Sequence, residues 1–163
     1  MMNSSAMAQN KREIFLHPGE YFFSSGGERI GTLLGSCIAI CLWHPILHIG
    51  GMCHFVLPSQ HKKSMTGLNG RYADEAMAMF VTSVAKHNTE LKQYRASIYG
   101  GANVVASLVK EDEDTIGERN AAAAMELLMA KRVSIGIVDV GESWPRRIAF
   151  DVASGEVTVN AQK

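Results

Sequence analysis

The chain has 163 residues, enough for one domain with a sizeable core, and its 16 basic and 16 acidic side chains cancel to a formal net charge of zero. With the basic residues scattered, there is no electrostatic footprint for nucleic acid or an anionic membrane, so any macromolecular partner is recognised by shape and local chemistry. The 3 cysteines, an odd number, argue against a closed disulfide framework and for free thiols in a reducing compartment.

No apolar run approaches the ~20 residues of a membrane span, and Met1–Lys11 lacks the apolar centre of a signal peptide. The expectation is a cytoplasmic protein with no membrane insertion. Residues 1–12, polar and rich in small side chains, read as a disordered N-terminal segment, and residues 13–163 as one domain. Glu20–Ser24 (EYFFS) reads as the first strand, and Arg29–Leu34 leads into the stretch Thr32–Pro58, TLLGSCIAICLWHPILHIGGMCHFVLP.

Within that stretch Ile38–Trp43 is a short apolar run bounded by Gly35-Ser36 and His44-Pro45, which predicts a buried strand. Ile49–Leu57 is its partner. A tight turn at His44-Pro45-Ile46-Leu47 places Cys37 directly opposite His54, at the separation where an imidazole reaches a thiol. A bulge at Gly50-Gly51 would turn His54 to the other face. Cys53 has the opposite parity to His54, and both Cys53 and Cys41 read as inert buried thiols.

Ser59–Gly70 reads as a long exposed loop. Ala73, Ala76, Met77, Phe80 and Val84 recur at helical spacing and predict a helix from Tyr72 to about His87, followed by a strand at Ala96–Tyr99 and a turn at Gly100-Gly101-Ala102-Asn103. Glu111–Asp114 (EDED) reads as a solvated loop. Thr115 and Glu118 have capping-box spacing and predict a second helix from about Gly117 to Lys131. Val133–Val140 reads as a strand, and Ile148–Phe150 with Val157–Val159 as a closing hairpin around Ala153-Ser154-Gly155. Strands, helix, strand, helix, strands, without repeat or linker, predict a single α+β domain, a layered α/β sandwich with mixed, largely antiparallel strands and two main helices.

GSCIAICLWHP followed by GGMCHFVLP resembles the signature of CheD, the bacterial chemoreceptor glutamine deamidase. The resemblance continues in RYAD (Arg71–Asp74), YGGAN (Tyr99–Asn103), IGERN (Ile116–Asn120) and the closing DVGESWPRRIAFDVASGEV, in the family's order and over nearly the whole chain after about His17. It implies a layered α/β fold and a protein-glutamine deamidase that converts glutamines on the cytoplasmic helices of chemoreceptors to glutamate, with recruitment to receptor arrays. It also implies, as some members show, binding to a CheC-type phosphatase.

Hydrolysis of a carboxamide needs a strong nucleophile, an acid for the departing nitrogen and donors for the oxyanion. Cys37 as nucleophile and His54 as acid and base supply the first two, and the backbone N–H groups of Ser36 and Cys37 at the Gly35 turn are candidate oxyanion donors. The resemblance implies a threonine ahead of the cysteine as partner of the histidine. Here the neighbours are Gly31 and Thr32; a continuous strand would put Gly31 on Cys37's face, but Gly35-Ser36 interrupts it, so Thr32 is the third candidate and Ser36 its substitute. Gly35, Arg71, Tyr72, Asp74 and Asn103 are candidates for the site wall, although Asp74 also suits a helix N-terminus and Asn103 a turn. Glu118, Arg119 and Asn120 read as a cap and its contacts. Trp144-Pro145 with Arg146 and Arg147 reads either as an exposed binding patch or as core.

Cys37, Cys41, His44, His48, Cys53 and His54 crowd one hairpin, but strand alternation sends them to different faces, so neither a metal site nor any other cofactor is expected. A non-catalytic adaptor that binds receptors or a CheC-type phosphatase is the alternative function. A general cysteine peptidase shares the same thioester chemistry.

Overall fold

The computed structural model describes residues 11–60, 67–103 and 114–163. They form three layers: two helices, a five-stranded sheet, and a four-stranded sheet packed on its other face. The strands are β1 (Arg12–Leu16), β2 (Tyr21–Ser24), β3 (Glu28–Leu34), β4 (Ile38–Trp43), β5 (Gly50–Phe55), β6 (Arg95–Gly100), β7 (Ser134–Val140), β8 (Arg146–Asp151) and β9 (Val157–Ala161). The helices are α1 (Ala73–Lys86) and α2 (Ile116–Ala130). One sheet has the order β2-β5-β4-β6-β7 and the other β1-β3-β8-β9. Pairing is antiparallel except for β1 with β3 and β6 with β7, so the expected single α+β layered domain is what the described residues form.

β4 is apolar throughout because both of its faces are covered. Ile38, Ile40 and Leu42 pack toward Phe80, Val84 and Leu128 of the helices. Ala39 and Cys41, of the other parity, pack toward Ile30, Leu34, Ile148 and Phe150 of the second sheet. Both helices begin and end near the predicted positions, and Thr115 Oγ1 accepts from Glu118 N at 3.0 Å as the cap of α2. The closing hairpin pairs Ile148 with Val159.

Two strand expectations need correction. The first strand is β1, not Glu20–Ser24: Arg12–Leu16 pairs in parallel with β3, and as a short edge strand with mostly exposed side chains it carries little apolar signal. Lys11 beside it is ion-paired with Asp151. The remainder of the segment expected to be disordered, 1–10, lies outside the described residues, as do 61–66 of the predicted loop and 111–113 of EDED.

The second correction concerns register. β4 and β5 pair Ala39, not Cys37, with His54. The connection is longer than a two-residue turn: His44 N donates to Ile49 O at 2.8 Å, His48 sits at φ 54°, and His44 Nδ1 accepts from Leu47 N at 3.0 Å. The displacement is by two positions, so parity survives and Cys37 stays on His54's face. No bulge forms at Gly50-Gly51. A Cβ on Gly51 would lie 2.7 Å from Phe22 O, so glycine there permits close strand approach.

Candidate active site

Cys37 sits on a tight elbow between β3, in one sheet, and β4, in the other. The elbow is held from outside by the YGGAN turn. Gly101 N donates to Cys37 O and Ala102 N to Gly35 O, both at 2.9 Å. Gly100 and Gly101 have φ of 111° and 65°, and a Cβ on Gly100 would overlap Cys37 O, so the turn needs glycine there for conformation and for contact. Cys37 is partly exposed, whereas Cys41 and Cys53 are 2% and 0% exposed.

His54 lies near the end of β5 with its ring at the interface between the sheets, 1% exposed. Its Nδ1 is 2.7 Å from Thr32 Oγ1, which is also 2.7 Å from Leu16 O. The carbonyl can only accept, so the hydroxyl donates to it and in turn accepts from Nδ1–H. His54 therefore carries its proton on Nδ1 and a free lone pair on Nε2, which has no hydrogen-bond partner among the described residues. Thr32 makes this contact because it shares the buried, inter-sheet face of β3 with Ile30 and Leu34; Gly31, of the other parity, lies toward Ile148 O.

The electrostatics favour neutral partners at rest. Burial, with a smaller contribution from nearby His17 and against the opposing effect of Glu20, lowers the His54 pKa from 6.5 to about 4. Burial also raises the Cys37 thiol, and Arg71 opposes that rise. The cation that favours the thiolate is Arg71, held by its backbone O accepting from Val56 N at 2.7 Å.

The other expected wall residues divide. Gly35 and Ser36 form the elbow itself. Tyr72 lines a cleft of about 330 Å³ with Leu57, Pro58, Ile116 and Arg119. Asp74 serves the start of α1, where its Oδ1 accepts from Glu75 N at 2.9 Å, and Asn103 N donates to Glu142 O at 2.8 Å. Arg146 is buried, not part of an exposed patch: it bonds Asp139 Oδ1 and Gly100 O. A larger groove of about 380 Å³, lined by Val84, Leu91 and Lys131, contains no cysteine or histidine.

Sequence reasoning missed two contributors. The segment from Leu16 to Glu20 wraps His54: Gly19 N donates to His54 O at 2.8 Å, and His54 N to Glu20 O at 3.2 Å. Asn120 is wholly buried and bonds the elbow at Ser36 O. In the sequence it stands in the IGERN motif and reads, with Glu118 and Arg119, as part of a helix cap and its contacts, with nothing to tie it to the elbow.

Fold and site together define a three-layer α+β protein with a cysteine elbow and an oriented imidazole at one end of the central sheet. The family model described as CheD chemotactic sensory transduction matches residues 56–161. A relative from Dechloromonas aromatica, named probable chemoreceptor glutamine deamidase CheD 3, is 41% identical over 94% of this chain and 89% of its own length. Similarly named relatives from Chromobacterium violaceum and Pseudomonas syringae pv. tomato are 38% and 37% identical, over 90% and 92% of this chain and 76% and 89% of their own. The chain belongs to the CheD family. Among the described residues no helix is long and apolar enough to cross a membrane.

Proposed function

We propose that the protein is a chemoreceptor glutamine deamidase, a hydrolase of side-chain carboxamides that serves chemotaxis, with Cys37 as nucleophile and His54 as its base. The observation that carries this reading is the Thr32–His54 hydrogen bond, which leaves Nε2 as a buried acceptor, unpartnered among the described residues, on Cys37's side of the strand. The relatives' names supply the substrate class.

In this reading His54 Nε2 takes the Cys37 proton as the thiolate attacks the carboxamide carbon of a glutamine. The oxyanion is met by the N–H groups of Ser36 and Cys37. The intermediate collapses with proton transfer from Nε2 to nitrogen, releasing ammonia and leaving a thioester. Nε2 then activates water, which hydrolyses the thioester to glutamate and restores the thiol. The chemistry calls on no cofactor. The cleft beside Leu57, Ile116 and Arg119 would receive residues flanking the target glutamine on a receptor helix, so the protein would work at the receptor's cytoplasmic region.

The test is to incubate the protein with a purified chemoreceptor cytoplasmic fragment and follow glutamine conversion by the roughly 1 Da mass increase, with Cys37→Ala in parallel. Conversion by the wild type alone is expected. Receptor binding without conversion by either protein would reject the deamidase reading in favour of a non-catalytic adaptor, for which a CheC-type phosphatase would be the next partner to try.

A further inference from the structure

Asn120 on α2 spends both of its side-chain N–H bonds on backbone carbonyls from the two arms of the site. Nδ2 donates to Ser36 O at 3.1 Å and to Val56 O at 2.8 Å. Ser36 immediately precedes Cys37, and Val56 closely follows His54. The orientation of the amide is fixed by chemistry, since exchanging nitrogen and oxygen would set an acceptor against two acceptors. Its Oδ1 and His54 Nε2 are the two buried side-chain polar atoms without a partner among the described residues.

A trans peptide holds its C=O and N–H in one plane, pointing in opposite directions. Fixing Ser36 O therefore fixes the Cys37 N–H, just as the bond from Ala102 N to Gly35 O fixes the Ser36 N–H. We infer that Asn120 is a positioning residue for oxyanion stabilisation: by holding Ser36 O it aims the Cys37 N–H at the developing oxyanion of a bound carboxamide. The inference rests on Cys37 being the nucleophile and adds a role for a residue outside the Cys37–His54–Thr32 set.

Two reagents separate this role from support of the fold or of the thiol. Iodoacetamide alkylates Cys37 by displacing iodide at a saturated carbon and forms no oxyanion. p-Nitrophenyl acetate acylates the same sulfur through a tetrahedral oxyanion and releases p-nitrophenolate. The ratio of acylation to alkylation rates cancels changes in thiolate fraction. Asn120→Asp, isosteric but without N–H donors, should lower that ratio on the order of 100-fold, the loss typical of one oxyanion donor. Asn120→Ser, neutral and still able to donate one bond, provides a second variant should the buried carboxylate prevent folding, and should lower the ratio less. Cys37→Ala supplies the blank. An unchanged ratio, with both rates intact or both reduced alike, overturns the inference. Neither reagent involves a receptor, so that failure is distinct from an absence of glutamine conversion.

Discussion

Thr32 and His54 belong to different sheets and meet through a 2.7 Å hydrogen bond across the interface. The tautomer of the imidazole is thereby set by the packing of one sheet on the other, and the hydroxyl that sets it is anchored in turn on Leu16 O of β1. Replacing Thr32 by valine keeps the shape but leaves Nδ1–H and Leu16 O unpaired in the interior, at a cost of about 1–3 kcal/mol for an unsatisfied buried group. Urea unfolding should show that loss, and deamidation should fall steeply, because the ring is free to present the wrong nitrogen. Thr32→Ser should recover most of both. A Thr32→Val protein with unaltered turnover would remove the residue from the mechanism.

The depressed pKa of His54 makes stability depend on pH. The folded protein takes up this proton only near pH 4, whereas the unfolded chain takes it up near 6.5. Between those values the unfolded state binds the extra proton, so stability falls as the solution is acidified through that window. His54 alone accounts for up to about 3 kcal/mol. Denaturant midpoints at pH 7 and pH 5 should differ more in the wild type than in His54→Gln; equal differences would mean that other groups govern the acid response.

Arg71 is exposed and lies close enough to Cys37 to favour the thiolate. In Arg71→Ala the pH profile of Cys37 alkylation should move toward higher pH. At neutral pH the rate should drop by up to about five-fold, as befits a solvent-screened charge interaction of at most ~1 kcal/mol. Arg71→Lys should sit between the two. A profile that does not move in Arg71→Ala would leave burial as the sole control on this thiol.

Much of the fold was legible because its signals are local. The bounded apolar run Ile38–Trp43, the helical spacing of Ala76, Met77, Phe80 and Val84, and the cap at Thr115 each report their own segment. β1 was illegible because an exposed edge strand owes its existence to pairing with β3, a contact distant in sequence. The hairpin register was missed by two positions because His44 stabilises a longer loop through its ring nitrogen, which the Pro-containing turn pattern does not reveal. Parity, which needs only alternation, still placed Cys37 and His54 on one face. Thr32 could not be selected over Gly31 by strand parity, since the chain changes sheets at the elbow. Asn120 was unreadable for a related reason: its partners Ser36 and Val56 come from segments that only the folded protein brings together.

The three thiols stand in unequal surroundings. Cys41 and Cys53 lie on opposite faces of the central sheet, both sealed, with burial raising Cys41 well above the ordinary thiol range and Cys53 to about 12. Cys37 is the one thiol of the three that is not buried. A thiol-specific dye added to the native protein thus becomes a titrant of the proposed active site. One equivalent consumed per chain counts molecules with a correctly formed elbow, and any excess measures the fraction of the sample whose layers have come apart.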